Sequence, residues 1–436
     1  MTSTLEVIAE KAMSACNNTG VLEDAKVALA DTLAVAGSAY HLHPIKPSYK
    51  KSLTGTSIIL GSWEHTDPVT ATAVNAFLAH SLELDDWLPQ GFIHGGCVIV
   101  PAALSTALEL DTDLGLLLKG VTAGYQAGYM IGGYLGKPHY QKWHTTATAG
   151  LVGSAVASGV IRNGCKGKVI KLLVMTALNY AGGLWIAVKS DPRLKPLSAM
   201  HASTSGYMLS HIGSWDTDIN DDIDAVCRSL GGKCRMLPEY YALELNGYKF
   251  YPSCRHTHTA IEAALEARKK FNGDIRGIRN VTIETYDDAI KIASRDKFPS
   301  TIEEARFNLS YLVSVALVYE NVWLDTIPRG LTDTTVKSMF DKVKVVENPE
   351  FTSDYPDSMP SKVSLETTAG NVGVEVRWPL GSPERSVNSR HILDKALKLA
   401  EFSTDSSIYT LARRILEEPW DSSVRELIPA TSRYIL

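Results

Sequence analysis

The sequence predicts a mainly α protein with a smaller α+β second domain, and three observations carry that prediction. The first 250 residues hold long Ala- and Gly-rich stretches whose apolar positions recur at helical spacing. Within them Gly120, Gly124, Gly128 and Gly132 fall one every four residues. After about residue 250 short segments alternate apolar and polar side chains, the period of a half-buried strand.

Residues 4–16 and 22–37 read as amphipathic helices. Residues 69–86 are Ala-rich, contain no Gly or Pro, and end in acidic residues before Pro89, so a helix closing on three carboxylates is expected. In 115–135 the four glycines lie along one inclined stripe of a helix, where another backbone can approach closely. Residues 145–162 repeat the small-residue theme and are the expected partner of that stripe. Beyond 250, residues 279–286, 363–367 and 372–376 alternate as strands. The last two flank Thr368-Ala369-Gly370-Asn371, a hairpin signal. Helical stretches are expected at 302–319, 333–341, 390–402 and 408–418. The domain reading is therefore an all-α domain over 1–255, an α+β lid over 256–388, and C-terminal helices over 389–436 that return to the first domain.

Composition excludes several classes of function. The 436 residues carry 43 Lys and Arg against 48 Asp and Glu, a formal net charge of -5. That balance gives no electrostatic basis for nucleic-acid binding. No window approaches the roughly 18 apolar residues of a membrane span. The first residues lack a basic segment followed by an apolar core, so no secretory signal is expected and a cytoplasmic location, with an organelle left open, is. The six cysteines, Cys16, Cys97, Cys165, Cys227, Cys234 and Cys254, include no CxxC pair. Their scatter argues against a zinc ribbon, an iron–sulfur cluster and a disulfide scaffold, and for a reducing compartment. With no HExxH, P-loop or strand-borne GxGxxG, no metal and no cofactor are expected, and chemistry falls to side chains.

Four segments combine titratable groups with turn residues. The first runs from His80 through Glu83, Asp85, Asp86 and Trp87 to His94-Gly95-Gly96, where the glycines are expected to leave the imidazole accessible. The second is Trp143-His144-Thr145-Thr146 at a helix start, which favours an anion. The third, Asp191-Pro192-Arg193-Leu194-Lys195-Pro196, sets two cations between prolines. The fourth, 248–258, contains Lys249, Cys254, His256 and His258; its His-x-His pair lacks a third ligand motif. Taken singly, each has a structural reading: solvated carboxylates, packing histidines, surface cations. Together they fit acid–base chemistry on a carboxylate, which needs cations to hold the substrate and proton-transfer groups on its flanks.

The order of these segments resembles the MmgE/PrpD family, which includes 2-methylcitrate dehydratases, cis-aconitate decarboxylases and an iminodisuccinate epimerase. The resemblance spans nearly the whole chain and rests on HSLELDD…HGGCVIVPAAL (80–104), WHTTATAG (143–150), KPLSAMHASTSG (195–206), KFYPSCRHTH (249–258) and EEARFNLSYLVSVAL (303–317). It implies a helical domain closed by returning C-terminal helices, an α+β lid, a homodimer, and an active site between domain and lid. By position it implies His94 and His144 as acid–base groups and Lys195 as a catalytic cation, with Asp86 or Tyr311 as helpers. Glu83, Arg193, Lys249, Cys254 and His258 fall to substrate binding. The sequence departs from the family pattern at Glu83, Trp87, Thr148, Ser198 and Met200. The reading is a cofactor-independent hydro-lyase acting on 2-methylcitrate or another alkylcitrate-like di- or tricarboxylate. The alternatives are a cis-aconitate decarboxylase forming itaconate and a catalytically inactive binding member of the family.

Overall fold

In the computed structural model the described residues are 3–44, 48, 49, 51, 54–212, 219–236, 238 and 240–429. They are predominantly helical, with a small mixed sheet, as the sequence predicts. Two compact units are distinguished: residues 1–248 with 387–436, and residues 249–386.

The helical unit begins with helices Thr4–Cys16 and Thr19–Leu42. Each is opened by a side-chain cap: Ser3 Oγ accepts from the Glu6 amide, and Asn18 Oδ1 accepts from the Gly20 and Val21 amides. Helix Leu114–Tyr140 carries the glycine stripe and packs on helix Thr145–Asn163. A methyl at Gly124 would stand 2.5 Å from the Gly153 carbonyl oxygen, and one at Gly132 would stand 2.0 Å from that of Gly91. The stripe is therefore spent inside the unit, against the partner helix and the 91 turn, and the close approach is what requires glycine there. The helix over 145–163 is the partner that the sequence reading expected for it.

The third helix stops earlier than its composition suggests. It spans Pro68–Ser81 rather than reaching residue 86, because Glu83 adopts the left-handed conformation (φ 54°). Glu83, Asp85 and Asp86 thus occupy a buried turn instead of a solvated helix end. The expected helix 302–319 is likewise broken into Ile302–Ala305 and Leu309–Tyr319, the second capped by Asn308, whose side chain accepts from the Tyr311 amide.

Two cysteine pairs are joined, Cys16–Cys165 and Cys227–Cys234, which corrects the expectation of unpaired thiols throughout. The first pair is 149 residues apart in sequence, a separation that no local motif reveals. Cys97 and Cys254 stand outside these two disulfides and are buried.

In the second unit the strands order as 343–347, 278–285, 361–367 and 370–376. The first two pair in parallel, the others antiparallel, with Ser361 opposite Val376 and Thr367 opposite Gly370 in the expected hairpin. Val281, Ile283, Val363 and Leu365 bury their alternate side chains with Ala260, Ile261 and Ala264 of helix His258–Phe271. Strand Val343–Glu347 was not singled out in the sequence: its three valines, Val343, Val345 and Val346, stand with Lys344 and Glu347 on a partly exposed edge, without a clean alternation.

Candidate active site

The helical unit gathers a buried polar cluster from five parts of the chain. His80 lies in the last turn of helix Pro68–Ser81, and the turn after it supplies Glu83, Asp85 and Asp86. His94 and Cys97 flank the start of helix Gly96–Leu110. Tyr125 comes from helix Leu114–Tyr140, His144 precedes helix Thr145–Asn163, and Lys195 opens helix Lys195–Leu209.

Asp85 is the hub. Its Oδ2 lies 2.6 Å from His80 Nδ1 and 3.4 Å from His94 Nδ1, and the His94 nitrogen also lies 2.8 Å from the Asp86 carbonyl oxygen. An ionised carboxylate and a carbonyl both accept, so the network assigns the Nδ1 proton to each ring and leaves Nε2 as the basic nitrogen. The His80 ring lies 5.0 Å from that of His94 and stacks on that of His144 at 5.7 Å. His144 is sandwiched in turn by the Trp185 indole, at 4.9 Å between ring centres.

Burial sets the protonation of these rings. It pushes His144 well below the ordinary imidazole range, and positive charge on His80 and Lys195 acts in the same sense. His80 is also lowered by burial, against the pull of Asp85. Both His144 ring nitrogens are buried and make no hydrogen bond among the described residues. A neutral imidazole with two uncommitted nitrogens, held flat between rings, is able to take or give a proton to a bound molecule.

Asp86 is held differently. Its Oδ2 accepts from the Tyr125 hydroxyl at 2.5 Å and from Asn246 Nδ2 at 2.9 Å, and its Oδ1 accepts from the Gly96 amide at 2.8 Å. Burial nevertheless dominates these bonds and pushes its pKa up to about 6. The glycines beside His94 serve this arrangement. A methyl at Gly95 would meet the Tyr125 ring at 2.5 Å, and one at Gly96 would meet Thr32 Oγ1 at 2.2 Å. Their role is to admit the Tyr125–Asp86 pair, not simply to expose the imidazole. Lys195 Nζ lies 2.5 Å from Glu83 Oε1, with both side chains about 95% buried.

Of the residues picked from sequence, Glu83, Asp86, His94, His144 and Lys195 belong to this cluster. Arg193 lies on the exposed surface, where its guanidinium is engaged by the Asp191 carboxylate. Lys249, Cys254, His258 and Tyr311 belong to the second unit. Lys249 is fully buried there, and the Cys254 amide donates to the Arg306 carbonyl. His258 opens a helix with Nε2 3.3 Å from the Ser253 carbonyl oxygen. The Tyr311 hydroxyl donates to the Ile327 carbonyl in that unit's core. Sequence reasoning missed the roles of His80, Asp85, Tyr125, Trp185 and Asn246. His80 and Asp85 stood in the segment singled out, but the five-residue spacing reads as a helix face and not as the turn that pairs them. The remaining three carry no local signal.

The fold and the cluster define a mainly helical protein that buries imidazoles, carboxylates and a lysine together in its helical unit. The chain belongs to the MmgE/PrpD family: the family's N-terminal domain matches residues 6–212 and its C-terminal domain residues 251–420. It is 24% identical over 433 residues to a cis-aconitate decarboxylase of Aspergillus terreus, covering 89% of this chain and 86% of that protein. It is 26% identical over 192 residues to the 2-methylcitrate dehydratase of Escherichia coli (strain K12), covering 41% of this chain and 39% of that protein. The corresponding Salmonella typhimurium enzyme matches over the same length at 24%. Among the described residues no helix is long and apolar enough to cross a membrane.

Proposed function

We propose that the chain is a cofactor-independent lyase, a hydro-lyase of 2-methylcitrate or a related alkylcitrate. The observation that carries this reading is the juxtaposition of Asp85-anchored imidazoles with His144, whose nitrogens are uncommitted, beside a buried lysine. In the reaction one imidazole takes the proton from the carbon next to a carboxylate. The electron pair left behind forms the double bond as the C–O bond breaks, and the second imidazole protonates the departing hydroxyl, which leaves as water. Lys195 would hold a substrate carboxylate and stabilise the enolate-like charge that develops on it. His94 and His144 are the two proton-transfer groups. Family resemblance adds a homodimer as the working assembly.

A second reading is favoured by the long match to the decarboxylase, which runs through 89% of this chain. The same cation would hold cis-aconitate while CO2 leaves and an imidazole protonates the resulting carbanion. One assay separates the readings: incubation with 2-methylcitrate, citrate and cis-aconitate, followed by ultraviolet absorbance and CO2 release. Absorbance from a new double bond without CO2 supports the hydro-lyase. CO2 from cis-aconitate supports the decarboxylase, and inertness toward all three contradicts both.

A further inference from the structure

His80, Asp85 and Cys97 each offer a donor atom, and the three atoms lie within 4.8 Å of one another. All three residues are fully buried. They come from a helix end, a turn and the next helix, so no sequence motif announces them. Imidazole, carboxylate and thiolate in one tight group make a donor set suited to a borderline-soft divalent ion such as Zn2+. His94 Nδ1, 3.4 Å from the same Asp85 oxygen, is placed as a fourth donor. We propose that this group is a binding site for Zn2+ or Co2+, which on occupation takes Asp85 away from the histidines.

The donor chemistry is favourable on one point in particular. Binding through His80 Nδ1 requires its proton to move to Nε2, which makes no hydrogen bond among the described residues, so the shift breaks none there. Cys97 must release its thiol proton to solvent, and Asp85 exchanges an N–H partner for the metal. Binding therefore releases one proton per ion and weakens as pH falls. The 2.6 Å His80–Asp85 separation must open, because donors about 2.0–2.3 Å from a tetrahedral ion stand further apart than a hydrogen bond allows. Occupation would consequently replace the bonds that orient His80 and His94. On the reading proposed above, the ion acts as an inhibitor, not as a cofactor.

The test uses the full chain and Co2+ as probe, so that binding is read without any substrate. The expected result is one equivalent of bound Co2+ with a near-ultraviolet thiolate charge-transfer band. Zn2+ should displace that Co2+. Cys97→Ser should abolish the band and weaken binding at least about 100-fold, as loss of a ligand costs more than loss of an outer-shell partner. Cys254→Ser serves as control and should leave the band intact. A band that survives Cys97→Ser, or absence of stoichiometric Co2+ from the wild-type chain at near-neutral pH, overturns the site. Because the band needs no turnover, failure of the hydro-lyase reading would not touch this result. A chain that binds Co2+ at Cys97 but keeps full activity would refute the inhibitory role alone.

Discussion

Lys395, on the C-terminal helix Ser389–Ser403, donates from Nζ to the carbonyl of Leu84, 2.7 Å away and one residue before Asp85. The same nitrogen lies 2.7 Å from Asp31 Oδ1, and both side chains are 99% buried. A residue 311 positions downstream thus anchors the turn that carries Asp85 and Asp86. The helical unit needs its returning C-terminal segment to hold its polar cluster in place.

Lys395→Met should therefore cost about 3–5 kcal/mol of stability, the usual penalty for stranding one partner of a buried ion pair. Urea denaturation monitored by far-ultraviolet circular dichroism measures it. Adding Asp31→Asn to Lys395→Met should recover part of the loss, and a further loss in the double variant would show that the pair is not the reason.

Gly132→Ala should lower the melting temperature, because its methyl would press on the Gly91 carbonyl oxygen from 2.0 Å. Overpacking of this kind costs about 1–3 kcal/mol. An unchanged melting curve would mean that the stripe is looser than the described packing.

Lys195→Ala should lower kcat/KM by about 30- to 1,000-fold, or roughly 2–4 kcal/mol of transition-state stabilisation. Because the change also strands the buried Glu83 carboxylate, Lys195→Ala/Glu83→Gln should recover stability without recovering activity. Recovery of both would make Lys195 a structural partner of Glu83 and nothing more.

Exhaustive dialysis against a chelator should leave activity intact, since the proposed chemistry runs on imidazoles and a lysine. A loss of turnover restored only by a divalent ion would contradict this and recast the His80–Asp85–Cys97 group as a resident metal centre.

Helix positions and the hairpin were legible because each depends on a local period: small residues every four, or alternation around Thr368-Ala369-Gly370-Asn371. The cluster was legible only in part. His94, His144 and Lys195 stood out as titratable groups beside turn residues, and the fold places them together. Asp85 as hub was not legible, since a left-handed residue at Glu83 converts a helical face into a turn and a single backbone angle carries no compositional signal. Tyr125, Trp185, Asn246 and Lys395 reach the cluster over long sequence separations, as do the bonded Cys16 and Cys165. Partners of that kind are set by packing and leave no trace in local pattern.

The central claim is that His144, desolvated between the His80 and Trp185 rings, transfers a proton during the reaction. Turnover of His144→Ala on the substrate that the wild-type chain converts, with its melting curve recorded in parallel, tests it most directly. The account predicts a fall in kcat of about 10²–10⁴ with little change in substrate binding and a folded protein. Wild-type turnover in a folded His144→Ala variant would contradict it.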